Sequence, residues 1–548
     1  MTDDAPTLFA GLRAGRIDDD LLAGFPLQNS ADLAAGQDWV ARAGAFADGF
    51  VDADEIDRSG KLPVELLDSL RREGLLAAGL SPELGGAGLS PYNVFRMVAA
   101  VSRRSMPVAQ IIAVQAGLGA GALYPALPAG PLRDMVRERI GAEALSGFGD
   151  TDGSGQNNRL PRMTATRVDG GPDLVLRGEK LYTANGPVAD LLAVSAVLDG
   201  AVCVCFVDTA AAGFSVDSTV EFVGSKGLPS GVLRFDGVRV AGEHVLSDHV
   251  GQLRLPPLIN AIAFLGRIYF NGAPAMAIAR NCLEWSREFV NRRSIDGRPL
   301  SGYDRIQRMV SATMADVYAM DCLARWCLIG SGLSGRWLER FVAKNALTRT
   351  AWRVADRTVS LLGAEGLETA DSKRRRGAAP LPVERALRDA RMLRVAGNVD
   401  FQLDNQAAQL MLADRDPDAR SDRRAARLDL SPRNQAHLDE ARGHARRFGE
   451  AIAGAAARHG VLAPHADQEI RVTLGRLVAE LVTVCAVLGR THQLGTPQAQ
   501  ALADVYCTGA RHRLAGLWRR LRPGEEPDYA VISAGWLDGS SFEFLGAG

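Results

Sequence analysis

A short segment near the middle of the chain brings together residue types that suit a planar ligand. Residues 176–186 read LRGEKLYTANG, so the ring of Tyr182 and the hydroxyl of Thr183 come just before an Asn-Gly pair. Asn-Gly favours a tight turn because both residues tolerate positive φ. Apolar, strand-like sequence on both sides predicts a hairpin that would hold the ring and the hydroxyl on a rigid β surface. The pattern indicates a site for a flat ligand, although an ordinary β-turn has the same signature.

The composition is that of a globular protein with more than one domain. The chain has 548 residues, of which 47% are apolar and 23% charged, and its net charge is −1. This balance gives no electrostatic reason to expect nucleic acid or an anionic membrane as a partner. The seven cysteines form no CxxC pair and the eight histidines show no metal-ligand spacing. We therefore predict no metal site, and we interpret Cys203 and Cys205 as small core residues in a reducing compartment.

The sequence shows no targeting signal. Residues 1–15, MTDDAPTLFAGLRAG, are acidic and lack the apolar core of a secretory signal. The longest apolar run, residues 477–488, is interrupted by Glu480 and is too short to cross a bilayer. These features predict a cytoplasmic protein with no membrane span.

Hydrophobic periodicity divides the chain into helical and β regions. Helical spacing dominates up to about residue 145, period-two spacing with frequent Gly and Asp-Gly turns follows, and helical spacing returns after Pro257. This order predicts an α+β fold. The predicted divisions are a loosely ordered lead-in (1–30), an N-terminal helical domain (31–146), a middle β domain (147–250), a four-helix bundle (251–412), a linker (413–430) and a helical extension (431–548).

Four segments, taken in order, resemble the acyl-CoA dehydrogenase family. They read DRSGKLP (57–63), PELGGAG (82–88), KLYTANG (180–186) and PVERALRDA (382–390). The resemblance covers roughly residues 33–412 and implies an α–β–α architecture that ends in a four-helix bundle. It also implies FAD as cofactor, an acyl-CoA or acyl-carrier-protein thioester as substrate, and an electron-acceptor flavoprotein or oxygen as electron acceptor. The chain would then be an oxidoreductase acting on CH–CH groups.

The resemblance assigns the flavin-binding residues of the β domain. Thr151 takes the place of the threonine that bonds the pyrimidine edge of the flavin, and Asp152 replaces the usual glutamate beside it. Tyr182 replaces the usual tryptophan. Ala184 falls where a hydroxyl normally approaches N5 of the flavin, so this contact is either lost or made by Thr183.

Three further residues are expected to contact the cofactor from the helical bundle. Arg293, in the segment RRSIDG, corresponds to the arginine that reaches the flavin pyrophosphate of a neighbouring subunit, a task that suits the bidentate guanidinium. Gly363 lies in LLGAEG, where backbone can approach a dinucleotide, and Asn398 follows the usual acid motif. Because the site would be divided between subunits, the resemblance implies a homodimer or homotetramer.

The catalytic base of the family is missing. After PVERALRDA the chain reads VAGN, so Ala396, or Gly397 by strict counting, stands where a carboxylate is expected. Some relatives place the glutamate early in the first bundle helix, and the matching position here is Arg267. Neither position can accept a proton, although the backbone N–H of Ala396 or Gly397 can still bind a thioester carbonyl.

Asp400 is the predicted replacement base. It follows the usual position by about one helical turn, with Asp404 beyond it. The same carboxylate would also suit the start of the helix that continues to Met411, where it would act as a cap. Both interpretations of Asp400 remain open from the sequence.

Three functions are compatible with these residues. The first is an acyl-thioester dehydrogenase with a displaced base, helped by the basic run at 373–376, which would dock CoA phosphates or simply be solvated. The second is a flavin-dependent monooxygenase on the same scaffold, which the absence of histidine between His249 and His437 weakens. The third is a non-catalytic subunit of a heteromeric enzyme.

Overall fold

The order of helices and strands follows the predicted α–β–α plan. The computed structural model describes residues 7–155, 158, 160–247, 257–332, 335–413, 426–459, 468–521 and 527–546. Nine helices precede the sheet in this part of the chain: α1 (Leu8–Arg13), α2 (Asp19–Ala23), α3 (Ser30–Phe50), α4 (Ala53–Ser59), α5 (Leu66–Arg72), α6 (Pro91–Ser102), α7 (Met106–Gly117), α8 (Ala120–Leu123) and α9 (Pro131–Gly141).

The middle domain is one mixed sheet. Its strands are β1 (Ser146–Gly149), β2 (Thr164–Arg167), β3 (Leu174–Ala184), β4 (Leu191–Leu198), β5 (Ala201–Asp208), β6 (Phe214–Thr219), β7 (Ser230–Val240) and β8 (Val245–Ser247). The strand order is β6-β7-β3-β2-β4-β5-β8, and β1 lies parallel to β4. Side chains alternate between buried and exposed along β7, as expected for a sheet with one face on the core.

Residues 185–186 form the predicted turn, but the two strands that it connects, β3 and β4, do not pair with each other. Asn185 has a φ of 61°, so the Asn-Gly signal correctly predicts left-handed backbone. β3 and β4 do not pair, however, because β2 lies between them and β3 pairs with β7 on its other side. Register shifts between Lys180 and Thr183 relative to β7, and Tyr182 in this bulge has a φ of 56°. The bulge turns the Tyr182 ring out of the regular pleat.

The C-terminal part of the matched region is a helical bundle. It contains α10 (Pro257–Arg267), α11 (Ala273–Arg292), the two-stranded ribbon β9 (Ser294–Ile295) and β10 (Arg298–Pro299), then α12 (Asp304–Leu328), α13 (Trp337–Leu362), α14 (Ala364–Leu367), α15 (Ala370–Arg375), α16 (Val383–Leu393) and α17 (Asp400–Ala413). Residues 383–413 are thus divided between two helices. The intervening loop includes Gly397 and Asn398, whose φ values are 68° and 86°, and right-handed helix cannot continue through them.

The first helix of the bundle is interrupted directly after Arg267, one of the predicted base positions. A π-helical turn, Ile268–Gly272, joins α10 to α11. Such turns are often found at functional sites because they re-aim the neighbouring side chains. Just before it, α10 crosses α7 very closely: a Cβ placed on Gly266 would lie 2.1 Å from the carbonyl oxygen of Gly117. This glycine contact lets the bundle approach the helix that supports the sheet.

The C-terminal extension is helical, as predicted, and packs against the bundle. Its helices are α18 (Pro432–His459), α19 (Gln468–Leu494), α20 (Pro497–Arg520) and α21 (Tyr529–Leu537). The predicted linker 413–430 falls mainly on residues 414–425, which lie outside the described residues.

The lead-in differs from the loose segment expected at residues 1–30. Leu8, Leu12 and Leu22 of α1 and α2 are at most 2% exposed. Arg442 of α18 donates to both carboxylate oxygens of Asp19, at 2.7 and 2.6 Å. The lead-in is therefore part of the core formed with the extension, a contact between distant segments that local periodicity does not reveal.

Three helical stretches are long and apolar enough to cross a membrane by length and composition. They are Met106–Ala126, Ile259–Arg292 and Gln468–Leu494, and 89% of each apolar window is buried inside the fold. A helix that is apolar on all sides is expected at the centre of a large helical core as well as in a bilayer. The packing accounts for their hydropathy, and the absence of a membrane span stays a prediction from the sequence.

Candidate active site

The sheet contributes an exposed aromatic surface next to a threonine. The backbone N–H of Leu181 donates to the carbonyl oxygen of Thr151 at 2.8 Å, so Thr151 lies against the strand segment that carries Tyr182. The Tyr182 side chain is 57% exposed, and its ring centroid is 6.2 Å from that of Phe222. The structure thus brings together the two residues that the sequence assigns to one flat ligand.

Thr183 carries a buried hydroxyl with spare hydrogen-bonding capacity. It is 2% exposed, and its Oγ1 has no partner among the described residues. Buried polar atoms are nearly always satisfied, so a missing partner in a candidate site points to a ligand atom. Ala184 is partly buried against the main helical core, and its methyl group cannot form the contact.

Lys180 organises the loop that precedes Thr151, a role that the sequence gave no reason to assign. The side chain is fully buried, and its Nζ donates to the carbonyl oxygen of Asp150 at 3.1 Å. The hydroxyl of Ser195 donates to the carboxylate of Asp150 at 2.7 Å. Asp152, which replaces the family glutamate, accepts from the N–H of Arg162 at 2.6 Å. Burial would raise the pKa of Asp152, but its hydrogen bonds, chiefly from Ser154, outweigh burial and lower it.

The two alternative base positions of the family meet in the folded chain. Arg267 ends α10, Gly397 lies in the loop between α16 and α17, and the Nε–H of Arg267 donates to the Gly397 carbonyl at 2.9 Å. A Cβ on Gly397 would lie 3.3 Å from Cγ of Arg267 and 3.0 Å from Nδ2 of Asn271. Two positions 130 residues apart therefore lie side by side. The charged group that they contribute is the Arg267 guanidinium, whereas the resemblance predicts a carboxylate.

Lys344 supports the same loop from inside the bundle and was not identified from the sequence. Its Nζ donates to the carbonyl of Asn398 at 2.9 Å and to that of Arg394 at 3.3 Å. Burial lowers the pKa of Lys344 to about 7, and the negative charge of Asp400 opposes this effect. The loop 394–399 is thus anchored through its carbonyl groups by two basic side chains.

Hydrogen bonds within the loop already use groups of Ala396 and Asn398 that were predicted to bind the substrate or the cofactor. The N–H of Ala396 donates to the carbonyl of Met392 at 3.0 Å, so this donor is already used and the role predicted for it would require that bond to break. Gly397 remains the candidate of the two. The side-chain oxygen of Asn398 accepts from the N–H of Val399 at 2.9 Å, which folds that side chain back onto its own loop.

Asp400 is held in a group of arginines and does not stand free as a base. Arg394 donates two hydrogen bonds to its carboxylate, at 2.9 and 2.7 Å, and Arg349 lies 3.3 Å away. Burial would raise the pKa of Asp400, but the positive charges of Arg349 and Arg394 outweigh burial and lower it. A carboxylate stabilised in this way is a weaker base. The geometry argues against the proton-acceptor role predicted for Asp400.

Asp404 belongs to the same group. It pairs with Arg349, receives a hydrogen bond from Asn345 at 2.8 Å, and lies 3.2 Å from Nε of Arg476 in α19. The Asp400–Asp404 cluster therefore ties the bundle to the C-terminal extension.

Arg293 and Gly363 lie near one another at the far end of the bundle. Arg293 is exposed at the end of α11 and leads into the β9–β10 ribbon. Its neighbour Arg292 forms an ion pair with Glu365, two residues after Gly363. Gly363 has a φ of 62° and open space where a Cβ would lie. This exposed corner is compatible with contact to a dinucleotide or a second subunit.

The basic run at 373–376 is already neutralised within the fold. Lys373 is buried and donates to the carbonyl of Leu381. The three arginines pair with carboxylates of the same chain: Arg374 with Asp54, Arg375 with Asp371 and Arg376 with Glu368. These pairs weaken the prediction that the run docks CoA phosphates.

The sheet side and the bundle side of the site lie near each other. The carboxylate of Asp150, adjacent to Thr151, raises the pKa of Arg267, against the larger lowering effect of burial. The two sides also meet where Arg388 of α16 donates to the carbonyl of Val223 at 3.2 Å, next to the Phe222 ring that lies beside Tyr182. No group of three or more potential metal ligands occurs in the part of the chain that is described.

Comparison with known families identifies this architecture. The descriptions "Acyl-CoA dehydrogenase, N-terminal domain", "middle domain" and "C-terminal domain" match residues 36–126, 148–238 and 266–411. The three matches follow one another in the order of the helical, β and helical regions described above and together cover more than half of the chain. The chain belongs to the acyl-CoA dehydrogenase family.

Curated relatives are distant. The chain is 27% identical over 424 residues to the probable acyl-CoA dehydrogenase FadE10 of Mycobacterium tuberculosis, a match that covers 75% of this chain and 63% of the relative. It therefore spans less than two thirds of that relative's length. It is 25% identical over 348 residues to benzylmalonyl-CoA dehydrogenase of Aromatoleum aromaticum, covering 62% and 88% of the two chains.

Solved structures share the fold, including the extension. The acyl-CoA dehydrogenase of Bacillus anthracis complexed with FAD superposes with a TM-score of 0.74 at 19% identity, covering 98% of this chain and 96% of that one. The glutaryl-CoA dehydrogenase of Mycobacterium smegmatis in complex with FADH2 gives a TM-score of 0.59 at 21% identity, covering 70% and 95%. The second match covers less of this chain.

Proposed function

We propose that this chain is a FAD-dependent oxidoreductase that binds acyl thioesters between its sheet and its bundle. The observation that supports the proposal is the proximity of two surfaces, the Thr151–Tyr182 edge of the sheet and the Arg267–Gly397 contact of the bundle. FAD, when bound, would supply the hydride acceptor. The residues present suit it, since Tyr182 offers an exposed flat ring and Thr183 a buried hydroxyl without a partner.

The protein's own groups define what the site does to the substrate. The Gly397 amide is the donor available for a thioester carbonyl, and the Arg267 guanidinium is available for a second substrate oxygen. Such donors stabilise negative charge on the oxygen that they bind. The bases at both family positions are absent, and Asp400 is occupied by arginines. Binding and orientation of the thioester are therefore better supported than proton removal.

The lack of a base favours a second candidate, a subunit that binds FAD or a thioester but depends on a partner chain for turnover. The dehydrogenase and partner-subunit functions differ in one measurable property, which is reduction of bound flavin by substrate. A monooxygenase on the same scaffold would instead need external reduction and would consume oxygen.

The test is spectroscopic. The chain is purified alone, its visible spectrum recorded, and any bound flavin titrated anaerobically with a panel of acyl-CoA thioesters. Bleaching by a thioester establishes the dehydrogenase. Bleaching only by a reductase, followed by oxygen uptake, establishes a monooxygenase. A colourless protein that acquires FAD only with a partner chain establishes the subunit role, and failure to bind FAD or thioesters under any condition refutes the proposal.

The proposal also includes an oligomeric state, a cytoplasmic location and an electron acceptor. Arg293 is exposed beside the Gly363 loop and would reach a dinucleotide held by a second copy, in a homodimer or homotetramer of a cytoplasmic enzyme that passes electrons to a flavoprotein or to oxygen. Arg293→Gln should lower the FAD content of the purified protein by about tenfold, the loss of one bidentate charged contact. A monomer by light scattering that retains FAD, with Arg293→Gln unchanged, would contradict the shared site.

A further inference from the structure

An unusual feature of the site is an arginine cation at one of the positions where the resemblance predicts the base. Arg267 is partly exposed, and the one hydrogen bond of its side chain within the described residues runs from Nε to the Gly397 carbonyl at 2.9 Å. A guanidinium has five N–H donors. Within the described residues, the remaining four donors of Arg267 have no carboxylate at ion-pairing distance.

Two other arginines of the bundle, unlike Arg267, pair directly with carboxylates. Arg349 pairs with Asp400 and Asp404, and Arg353 lies 2.6 Å from the carboxylate of Asp316. A cation that loses part of its contact with water and gains no paired anion is destabilised. Burial lowers the pKa of Arg267 to about 10, so the side chain is still a cation at neutral pH.

The orientation of Arg267 is fixed by its surroundings. The guanidinium lies over the ring of Phe264, 4.8 Å from the ring centroid, and its Nε–H is held by the Gly397 carbonyl at 2.9 Å. The side chain lies directly before the π-helical turn that starts at Ile268. A cation held in one geometry is suited to recognise one anionic group by two parallel hydrogen bonds.

We propose that Arg267 binds a carboxylate carried by the acyl group, so that the substrates of this chain are dicarboxylic acyl thioesters. The inference rests on the proposed function and narrows it to a substrate class. A substrate carboxylate would supply the counter-ion that the protein lacks at this point. It would lie where relatives keep a protein carboxylate, between the bundle and the Thr151–Tyr182 surface.

The experiment compares thioesters that differ only in a terminal methyl or carboxylate. Binding to the purified FAD-loaded protein is measured by calorimetry for succinyl-CoA against butyryl-CoA and for glutaryl-CoA against valeryl-CoA. We expect the carboxylated member of at least one pair to bind about tenfold or more tightly, as for a bidentate charged contact. The preference should be lost in Arg267→Gln and kept in the control Arg308→Gln, whose exposed side chain is on α12.

Three outcomes would overturn the inference. Equal binding within every pair by the wild-type protein excludes carboxylate recognition, while butyryl-CoA binding would still support the proposed function. An equal loss for both members of a pair in Arg267→Gln assigns the guanidinium to the shared thioester carbonyl. A carboxylate preference that survives in both Arg267→Gln and Arg267→Lys places the anion site elsewhere. Because the wild-type comparison needs no variant, the result stands even if Arg267→Gln folds poorly.

Discussion

At the scale of single residues, replacing one side chain changes what the whole site can do. The family position for the base holds Ala396 or Gly397, the alternative position holds Arg267, and the structure joins them by a hydrogen bond. Asp400, the predicted substitute, contributes its charge to an ion-pair cluster with Arg349 and Arg394. The carboxylate of Asp400, which lies nearest in sequence, is thus bound by arginines. The residue that contacts the predicted base position is Arg267, 130 positions before Gly397.

Asp400→Asn should therefore act mainly on stability. Loss of the charge leaves Arg349 and Arg394 less well paired, and the free energy of unfolding should fall by about 1.5–3 kcal/mol, the contribution of hydrogen bonds to a charged group. Because folding lowers the pKa of Asp400, its contribution is present above the pKa of the unfolded chain and disappears as the pH falls through the folded value.

Denaturant titration of both proteins at several pH values measures this difference, which should be constant at neutral pH and shrink as the pH falls below about 4. Asp304→Asn is the matched control, since that carboxylate is 78% exposed and pairs only with Arg308. A variant with normal stability that no longer bleaches flavin with substrate would return Asp400 to the role of base.

Lys344→Met tests the buried amine that anchors the loop. Burial lowers the pKa of Lys344 to about 7 in the folded chain, whereas an unfolded lysine titrates near about 10.4. Between these values the unfolded state binds more protons, so wild-type stability should rise with pH relative to the variant. Stability curves of the two proteins from about pH 6 to about pH 10 measure the difference, and a constant difference would show that Lys344 is not strongly perturbed.

At the scale of elements, the loop between α16 and α17 is the feature that shapes the site. It is held by carbonyl bonds to Lys344 and Arg267 and closed by the Arg394–Asp400 ion pair. Left-handed backbone at Gly397 and Asn398 turns the chain so that the Gly397 carbonyl meets α10. Hydrophobic periodicity does not predict this loop, because the helical spacing of apolar residues continues almost unbroken from α16 to α17.

Gly397→Ala should disturb both the backbone and the arginine. A φ of 68° costs a residue with a side chain about 1–2 kcal/mol, and the added Cβ would press on Asn271 and Arg267. Gly377→Ala is the control. It should lose only the free energy that is due to the backbone conformation, since Gly377 has a φ of 74° and open space where a Cβ would lie. Unfolding free energies of the two variants give the comparison, and equal values would mean that Arg267 moves aside freely.

At the scale of the whole molecule, the two ends of the chain stabilise each other. The lead-in helices α1 and α2 pack on α18 and α19, and the Gln493 side chain donates to the carbonyl of Phe25 at 2.7 Å. The extension in turn reaches the bundle through Asp404 and Arg476. The site loop is thus connected to the extension through one continuous core.

Leu12→Ala should destabilise the protein far from the site. Its side chain is 0% exposed, and truncation of a buried leucine costs about 2–5 kcal/mol. Leu27→Ala, at a position that is 72% exposed, should cost less than about 0.5 kcal/mol. Thermal and denaturant unfolding check both values, and a small effect of Leu12→Ala would show that the lead-in is not part of the cooperative core.

The sequence by itself determined the α–β–α order and the family, because hydrophobic periodicity and turn residues act over short distances. It also assigned Thr151 and Tyr182 to one surface from local motifs, and the structure brings these two segments together. It misjudged the lead-in and the pairing of β3, because strand order and helix docking depend on segments far apart in the chain.

Only the tertiary structure decided how the side chains are used. It placed Arg267 against Gly397, gave Asp400 to Arg349 and Arg394, and neutralised the basic run at 373–376. The physical reason is that a charge in a folded protein is defined by the groups around it. Those groups come from distant parts of the sequence, so that charge pairing, unlike periodicity, is settled only when the chain has folded.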